Sequence, residues 1–173
     1  MKYGCNSGGV WSVSNGKKPS KEYAVWHSMM VRCYNPKHKA YANYGGKGIT
    51  VYPDWHDFQV FAQWFSENNI DGWVMDKDCA GGTTYSPETV IFIPDQVNQL
   101  LKCYDDPFHC VRKATNTWYV RTCGINGEVF TKGKFARPED AANYYQGYIR
   151  DKMKALIAKY SIPAATAEKL LSL

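Results

Sequence analysis

Apolar side chains recur at steps of three and four residues between Glu22 and Tyr34, which is the spacing of an amphipathic helix. The residues on its apolar side are Tyr23, Trp26, Met30 and Cys33. Asn35-Pro36 is expected to end this helix, because the residue before a proline is disfavoured in the helical conformation. The stretch therefore predicts a first core helix.

A second helix is predicted after a glycine-rich loop at Asn43–Gly48 and a short strand at Ile49–Tyr52. Asp54 is the expected N-cap, since its side chain can accept a hydrogen bond from an unpaired N–H of the first turn. The apolar side of this helix consists of Trp55, Phe58, Ala62 and Phe65. We expect these side chains in the core.

The middle of the chain predicts a strand, a turn, a second strand and a short helix, in that order. Trp73–Asp78 is strand-like, Gly81-Gly82 favours a turn, and Thr89–Ile93 is rich in β-branched residues. Pro94 fits the first turn of the helix, where its missing N–H would have had no partner. The apolar side of that helix is formed by Val97, Leu100 and Leu101.

Two polar side chains of this segment, Asp76 and Asn98, are suited to metal binding. They lie 22 residues apart (98 − 76), one at the end of the first strand and the other on the helix. A strand–turn–strand–helix layout can bring them onto one ion, and carboxylate and amide oxygens are sound ligands for Mg²⁺ or Mn²⁺. We therefore expect a divalent-cation site here.

The last third of the chain predicts three strands joined by short turns and followed by two helices. The strands are Cys110–Lys113, Trp118–Cys123 and Glu128–Lys132. A long helix is expected to begin at Pro138-Glu139-Asp140, and a short one is expected at Ala164–Leu171.

Composition places the chain among globular proteins. Its 173 residues suffice for one ordinary domain or two small ones, and a hydrophobic content of 45% is enough for a real core. The net charge of +5 and the pI of about 8.8 are compatible with nucleic-acid binding without requiring it. Residues 1–20, rich in Gly, Ser, Asn and Lys, predict a flexible, extended arm.

The cysteines and the absence of long apolar runs favour a cytosolic protein. No two of the six cysteines have C-x-x-C spacing, which argues against a zinc ribbon or knuckle. The first residues contain no apolar segment typical of a signal peptide, and no window of 18 apolar residues exists to span a bilayer. We expect reduced thiols and no membrane association.

A series of motifs, in order, resembles the HNH endonucleases of phage genomes, in their homing-type branch. The motifs are Tyr23–Tyr34, Tyr44–Val51, Trp55–Phe58, Met75–Asp78 and Tyr85–Thr89. They cover residues 20 to 103. The resemblance implies a ββα-metal fold and metal-dependent cleavage of DNA.

The resemblance also implies roles for single positions. Asp76 and Asn98 occupy the places of the metal ligands, Lys77 stands where the family has a histidine general base, and Thr89 where it has an asparagine that orients the base loop. One ion held by the two ligands would stabilise the phosphorane charge and the leaving 3′-oxygen. With Asp78, these residues are the candidate catalytic set.

Lys77 and Thr89 depart from the family pattern, and the departure leaves several readings open. A lysine ammonium accepts no proton until it has lost its own, so Lys77 is a base only if its surroundings favour the neutral amine. Alternatively Lys77 contacts phosphate and Asp78 polarises the water, or His38 or His56 approaches the site in space. A chain without the motif histidine can also bind DNA and not cut it.

The last third resembles an AP2-type DNA-binding domain over residues 107 to 150. The matching residues are Val111-Arg112, Trp118–Arg121, Gly133–Phe135 and Pro138–Ala142. A three-stranded sheet can lie across the major groove, with bases contacted by Arg112, Trp118 and Arg121 and the DNA backbone by Lys113 and Lys132. Trp118 can instead pack against the helix.

The sequence thus predicts an α+β chain with a flexible arm at residues 1–20, a ββα-metal (HNH-like) module at 21–105 and, at 106–173, an AP2-like module of a three-stranded sheet plus helix. The expected function is Mg²⁺- or Mn²⁺-dependent hydrolysis of double-stranded DNA in the cytoplasm of a phage host, with a dimer as one state that could cut both strands. The alternative is a catalytically degenerate phage protein that keeps the scaffold without cutting. Such a protein would bind DNA, or it would bind a protein partner and act on host defence.

The glycines of Asn43–Gly48 fit two interpretations, a plain connector between elements or a backbone that approaches DNA closely.

Overall fold

The chain folds into two compact units, Met1–Phe92 and Ile93–Leu173. The computed structural model describes residues 3–77, 82–104 and 106–172, and these combine helices with short strands, which confirms the α+β class at that level. The unit boundary lies ahead of residue 106, where the sequence predicts the second module to begin. The short helix after Pro94 therefore belongs to the second unit.

The first unit is built from two helices and short paired strands. In its described part these elements are β1 (Ser14–Asn15), β2 (Lys18–Pro19), α1 (Lys21–Tyr34), β3 (Thr50–Val51), α2 (Phe58–Asn68), β4 (Trp73–Asp76), β5 (Thr84–Tyr85) and β6 (Ile91–Pro94). The β1 and β2 strands form an antiparallel pair, β3 runs parallel to β5, and β4 pairs with β6, the strand through which the unit boundary passes. Single 3₁₀ turns lie at Tyr41–Asn43, Gly45–Lys47 and Pro53–His56.

Helix α1 confirms the first predicted helix. Ser20 caps its start by accepting a hydrogen bond from the Tyr23 N–H at 3.3 Å, and Asn35 follows its end in an extended conformation. Its buried side is formed by Trp26, Met29, Met30 and Cys33. Tyr23, also predicted on this side, is only partly buried against the same core.

Helix α2 begins later than predicted, and the prediction of Asp54 as its N-cap is wrong. Residues Pro53–His56 form a separate 3₁₀ turn, and Asp57 then adopts the extended conformation of a cap. The Asp57 carboxylate accepts hydrogen bonds from the Gln59 N–H at 3.1 Å and from the Ser7 N–H at 3.2 Å. Two aspartates stand near this helix start, and propensity alone does not decide which one caps it.

Aromatic side chains dominate the core of the first unit. Trp26, Trp55, Phe58 and Phe61 are almost completely buried, and Phe65 and Ala62 lie beside them. The Trp26 indole N–H donates to the Trp55 carbonyl oxygen at 2.7 Å, so the buried polar atom has its partner. Removing each such side chain from water contributes ~1.5–3 kcal/mol, and ring packing therefore holds α1 against α2.

The N-terminal segment, predicted as a flexible arm, contacts α2 along part of its length. Cys5 forms a backbone bridge with Asp57. The Gln59 side-chain oxygen accepts from the Trp11 N–H at 3.0 Å, and its NH₂ group donates to the Trp11 carbonyl oxygen at 2.9 Å. The Trp11 indole N–H donates to Gln63 at 3.3 Å. This segment therefore follows the helix with defined contacts, which its composition alone did not indicate.

The two strands and the helix of the predicted middle segment are present with shifted ends. Strand β4 ends at Asp76, and β6 covers Ile91–Pro94. Pro94 is both the last strand residue and the N-cap of the next helix, not a first-turn residue. Asp78 and the Gly81 of the predicted turn lie outside the described residues.

The second unit packs an antiparallel sheet against a long helix. Its described elements are α3 (Asp95–Leu101), β7 (Val111–Lys113), β8 (Trp118–Cys123), β9 (Val129–Phe135), α4 (Pro138–Lys159) and α5 (Ala164–Leu171). The strand order is β7-β8-β9. The three predicted strands and both predicted helices are confirmed, although β9 runs on to Phe135. It passes a bulge at Lys134, whose φ of 71° is left-handed.

The interior of the second unit lies between the sheet and α4. Its fully buried side chains include Val120, Ala141, Tyr145 and Ile149. Burial raises the pKa of the Tyr145 phenol, and hydrogen bonding to Cys110 and Cys103 raises it further. The tyrosine therefore stays neutral in the interior of this unit.

In the part of the chain that the structure describes, no helix is long and apolar enough to cross a bilayer. Cys5, Cys33, Cys103, Cys110 and Cys123 carry free thiols.

Replacing Asp57 with alanine is expected to lower the free energy of unfolding by ~1–2 kcal/mol, because the cap of α2 and the anchor of Ser7 are both lost. Asp57→Asn keeps an acceptor oxygen and should cost less. Hydrogen bonding from Ser7, and then from Gln59, lowers the pKa of the Asp57 carboxyl. Its stabilisation is therefore complete above the unfolded value of about 4 and is lost as the pH falls through the lower folded value.

Urea unfolding of wild type, Asp57→Ala and Asp57→Asn over a pH series measures this effect. The gap between wild type and Asp57→Ala should be widest at neutral pH and shrink in acid. Equal stability of the two proteins at neutral pH would contradict the cap.

Candidate functional site

Two buried charged residues lie at the end of strand β4. Asp76 is 8% exposed and Lys77, the next residue, is 4% exposed. The Lys77 ammonium lies 5.7 Å from the centre of the Tyr85 ring. Charged side chains are rarely buried this deeply unless they are paired or serve a site. The end of β4 is therefore a candidate site by its burial as well as by its residue types.

Arg32, in the last turn of α1, brings a second cation to the same ring. Its guanidinium carbon lies 4.7 Å from the centre of the Tyr44 ring and 5.9 Å from that of Tyr85. Its Nε–H donates to the Ser28 carbonyl oxygen at 3.2 Å, and Nη1 donates to the Tyr44 hydroxyl at 3.2 Å. These two bonds and the ring hold the guanidinium plane in place.

Local backbone geometry sets the ring positions. Tyr85 is almost completely buried on β5, whose parallel pairing matches Tyr85 with Val51 of β3. Tyr44 precedes Gly45, and a Cβ on Gly45 would lie 1.9 Å from the Cys33 carbonyl oxygen. Glycine is therefore needed to seat the loop against the end of α1, and this favours the connector reading of Asn43–Gly48. We name Arg32, Tyr44, Asp76, Lys77 and Tyr85 the tyrosine–cation cluster.

The thiol of Cys33 reports the electrostatics near this cluster. Burial raises its pKa to about 11, while the positive charges of Arg32 and Lys77 act in the opposite direction. The thiol is therefore protonated at neutral pH and is not a nucleophile. The two cations are close enough to each other to act on the same group, which is the arrangement that an anion such as phosphate favours.

Thr89 organises the loop that follows β5. Its hydroxyl donates to the Thr84 carbonyl oxygen at 2.5 Å and accepts from the Ser86 N–H at 3.0 Å. The Ser86 side chain is also within 3.3 Å. The hydroxyl of Thr89 holds its own loop in place, next to the ring that Lys77 contacts.

Asn98, the second predicted metal ligand, lies half-buried on α3 in the second unit. Gln96 anchors this helix: its side chain donates to the Ile125 carbonyl oxygen at 3.3 Å and accepts from the Tyr160 hydroxyl at 2.9 Å. Asp76 belongs to the first unit. Their shared coordination of one ion stays a prediction. Among residues 3–77, 82–104 and 106–172, no group of three or more His, Cys, Asp or Glu side chains forms a metal cluster.

The histidines considered as replacements for the motif base have other contacts. The Nε2 atom of His56 pairs with the Tyr34 hydroxyl at 3.2 Å, and that hydroxyl also accepts from the Val51 N–H at 2.9 Å. His38 accepts from the Ala40 N–H through Nδ1 at 3.3 Å. Both rings thus stabilise the turns that surround β3.

The sheet of the second unit is strongly basic. Its sixteen strand residues include five cations and no acidic residue; the cations are Arg112, Lys113, Arg121, Lys132 and Lys134. Directly paired residues of an antiparallel sheet share a face. Val111 pairs with the buried Val120, so the alternate residues Arg112, Tyr119 and Arg121 lie on the face away from α4.

The predicted DNA contacts divide between the two faces of the sheet. Arg112 and Arg121 share the open face, where the Arg121 guanidinium makes no hydrogen bond or ion pair with any residue that the structure describes. Arg112 donates to the His109 and Val111 carbonyl oxygens at 2.9 and 2.8 Å. Lys113 and Trp118 pair with each other on the side of Val120. This favours the reading in which Trp118 packs towards the helix.

Lys132 also lies on the helix side of the sheet, because it pairs with Val120. Its ammonium lies 6.0 Å from the centre of the Tyr144 ring of α4. Of the five predicted DNA contacts, the structure therefore brings Arg112 and Arg121 together on one accessible surface and puts the other three elsewhere. Tyr119, which the sequence reasoning did not select, pairs directly with Arg112 and stands two residues before Arg121 on β8.

The sequence reasoning also missed Arg32, Tyr44 and Tyr85 as site residues. All three lie within motifs that carry the resemblance, but they are 12 to 53 residues apart along the chain (44 − 32 and 85 − 32). Only the packing of α1 against β3 and β5 brings them together.

Comparisons with protein-family models, with curated proteins and with solved structures gave no match to this chain.

Substituting Thr89 with valine is expected to lower the stability of the first unit by ~1–3 kcal/mol, because the Ser86 N–H and the Thr84 carbonyl oxygen lose their shared partner. Thr89→Ser keeps the hydroxyl and should retain most of the stability. Thermal unfolding of wild type and both variants measures the difference. A Thr89→Val protein as stable as wild type would show that this hydroxyl does not hold the loop.

Proposed function

We propose that this chain binds double-stranded DNA and hydrolyses a DNA phosphodiester with the help of Mg²⁺ or Mn²⁺, as an HNH-type endonuclease with an AP2-like DNA-binding module. The tyrosine–cation cluster is the main support. It puts the buried carboxylate of Asp76 and the buried ammonium of Lys77 at the end of one strand. The hydrogen-bonded guanidinium of Arg32 lies near the same Tyr85 ring as Lys77. Two cations at one ring, with a buried carboxylate next in sequence to one of them, suit the negatively charged phosphate and its counter-ion.

The residues fit a metal of this class by their chemistry. Asp76 would hold the ion through its carboxylate oxygens, which hard divalent cations prefer. The ion, when bound, supplies Lewis acidity at the phosphate and at the leaving oxygen. Arg32 and Lys77 would bind the non-bridging phosphate oxygens and stabilise the charge that grows on them.

The hydrolysis itself is a displacement at phosphorus. A water oxygen forms the new P–O bond, its proton passes to a base, and the bond to the 3′-oxygen breaks. Asp78 is the proposed group that polarises the water, since the Lys77 ammonium has no lone pair to accept a proton. Thr89 is proposed as a positioning residue for the loop beside Tyr85.

The second unit is proposed to bind the duplex through the open face of its sheet. Arg112 and Arg121 lie next to Tyr119 on a sheet face whose strand residues include no acid, which suits both bidentate contacts to guanine and contacts to phosphate. Five cations in sixteen strand residues favour an anionic partner over a neutral one. A phage origin and a host cytoplasmic location are part of the same proposal.

A second candidate function is DNA binding without cleavage. Its support is the residue type at position 77: Lys77, whose side-chain nitrogen lies 5.7 Å from the centre of the Tyr85 ring, stands where the family pattern has the histidine base. Such a protein would act by occupying DNA.

Wild-type protein is expected to nick supercoiled DNA in Mg²⁺ or Mn²⁺, and Asp76→Ala to slow nicking at least about 100-fold, because ~2.7 kcal/mol or more of transition-state stabilisation is lost. Gel electrophoresis of plasmid DNA over time measures the rate. Asp71→Ala, which removes an exposed carboxylate of the same unit, is the matched control and should nick normally. Tight DNA binding without nicking by any of the three proteins selects the second candidate.

Arg121→Ala is expected to weaken duplex binding about tenfold and, if the arginine contacts phosphate, to reduce the slope of log affinity against log salt by about 1. Lys132→Ala, on the helix side of the same sheet, is the matched control and should change the affinity little. Fluorescence anisotropy with a labelled duplex at several salt concentrations measures both quantities. A larger loss from Lys132→Ala than from Arg121→Ala would contradict the proposed open-face contact.

A further inference from the structure

A groove between α1 and β4 opens next to the tyrosine–cation cluster. It has a volume of about 320 Å³, at the lower end of the ~300–1,000 Å³ range of small-ligand sites. Val25, Ser28 and Arg32 line it from α1, Trp73 and Met75 from β4, and Phe92 from β6. We call this feature the α1–β4 groove.

The chemistry of the α1–β4 groove changes along its length. Its middle is apolar and contains the partly exposed indole of Trp73 beside Val25 and Met75. One end is Arg32, a guanidinium with five N–H donors of which two are used, by the Ser28 carbonyl and the Tyr44 hydroxyl. Three donors therefore have no partner among the described residues.

The basic end of the groove is continuous with the candidate site. Arg32 and Lys77 face the same Tyr85 ring, at 5.9 and 5.7 Å from its centre. An occupant of the groove would have its anionic end beside Arg32, one of the groups proposed to act on phosphate.

We propose that the α1–β4 groove binds one unpaired nucleotide of DNA, with its base against Trp73 and its phosphate on Arg32. A nucleotide combines a flat, weakly polar ring with a phosphate, which matches an apolar groove with an indole wall and the Arg32 guanidinium at one end; Lys21, at the other end, is ion-paired with Asp71. Base stacking on aromatic side chains tolerates any base, because every base has a π-face. The inference rests on the proposed function and adds to it that the DNA is locally unpaired at the site.

The test compares two labelled duplexes of equal length, one fully paired and one with a single unpaired thymidine, by fluorescence anisotropy in EDTA so that no strand is cut. Wild type is expected to bind the duplex with the unpaired base about tenfold more tightly, the fold-change that ~1.4 kcal/mol of stacking and phosphate contact provides. A peptide-binding groove would give equal affinity for the two duplexes.

Ser28 offers a matched pair of variants on the exposed edge of the groove. Ser28→Glu puts a carboxylate one helical turn before Arg32, where it can occupy the guanidinium, and should bring the affinity for the unpaired-base duplex down to that for the paired one. Ser28→Gln has the same size without the charge and should keep most of the preference. Val60→Glu adds a carboxylate on exposed α2 outside the groove and should leave the preference unchanged.

Each outcome decides between the groove and the wider proposal. Equal affinity of wild type for both duplexes, or a preference that survives Ser28→Glu, overturns the proposal that the groove binds a nucleotide. If the protein still nicks DNA normally, the nuclease proposal is unaffected. Binding of neither duplex together with no nicking overturns both.

Discussion

The buried indole of Trp26 is the constraint on which the first unit depends. Its N–H donates to the Trp55 carbonyl oxygen at 2.7 Å, its ring lies 5.6 Å from that of Phe58, and a Cβ on Gly4 would come within 2.7 Å of it. One side chain thus fixes the N-terminal segment, the turn before α2 and the start of α2 against α1. Because α1 is fixed there, its last turn presents Arg32 at a defined place.

The tyrosine–cation cluster illustrates how a site can form from residues that are individually ordinary. Arg32 is a helix-end arginine and Tyr85 a buried strand residue, yet together with Lys77 they concentrate positive charge around one ring. The quadrupole of an aromatic ring attracts each cation that lies near it and so partly offsets the cost of holding two positive charges close together. The positive charge of Arg32 and Lys77 can still attract an anion. The packing that brings these residues to the Tyr85 ring therefore also creates a possible anion-binding site.

Periodicity located the helices well, because the apolar spacing of α1 and α2 is set by their burial. It was less accurate at the ends of elements: Asp54 and Asp57 are equal in propensity, and only the 3₁₀ turn of Pro53–His56 makes the second the cap. For the site, residue chemistry identified Asp76 and Lys77, whose burial supports their selection. It did not find Arg32 or Tyr119, because which residues meet across a sheet face or between helix and strand depends on register and packing rather than on local sequence.

The bulge at Lys134 affects how readily the second unit can associate with other molecules through the edge of its sheet. Strand β9 is an outer strand, and its unpaired backbone groups could template the addition of a strand from another molecule. The left-handed residue breaks the regular run of these groups, and the neighbouring lysines repel an identical edge. On the opposite side, β7 has only three residues to offer. Both edge strands of the sheet are therefore poorly suited to self-association in concentrated solution.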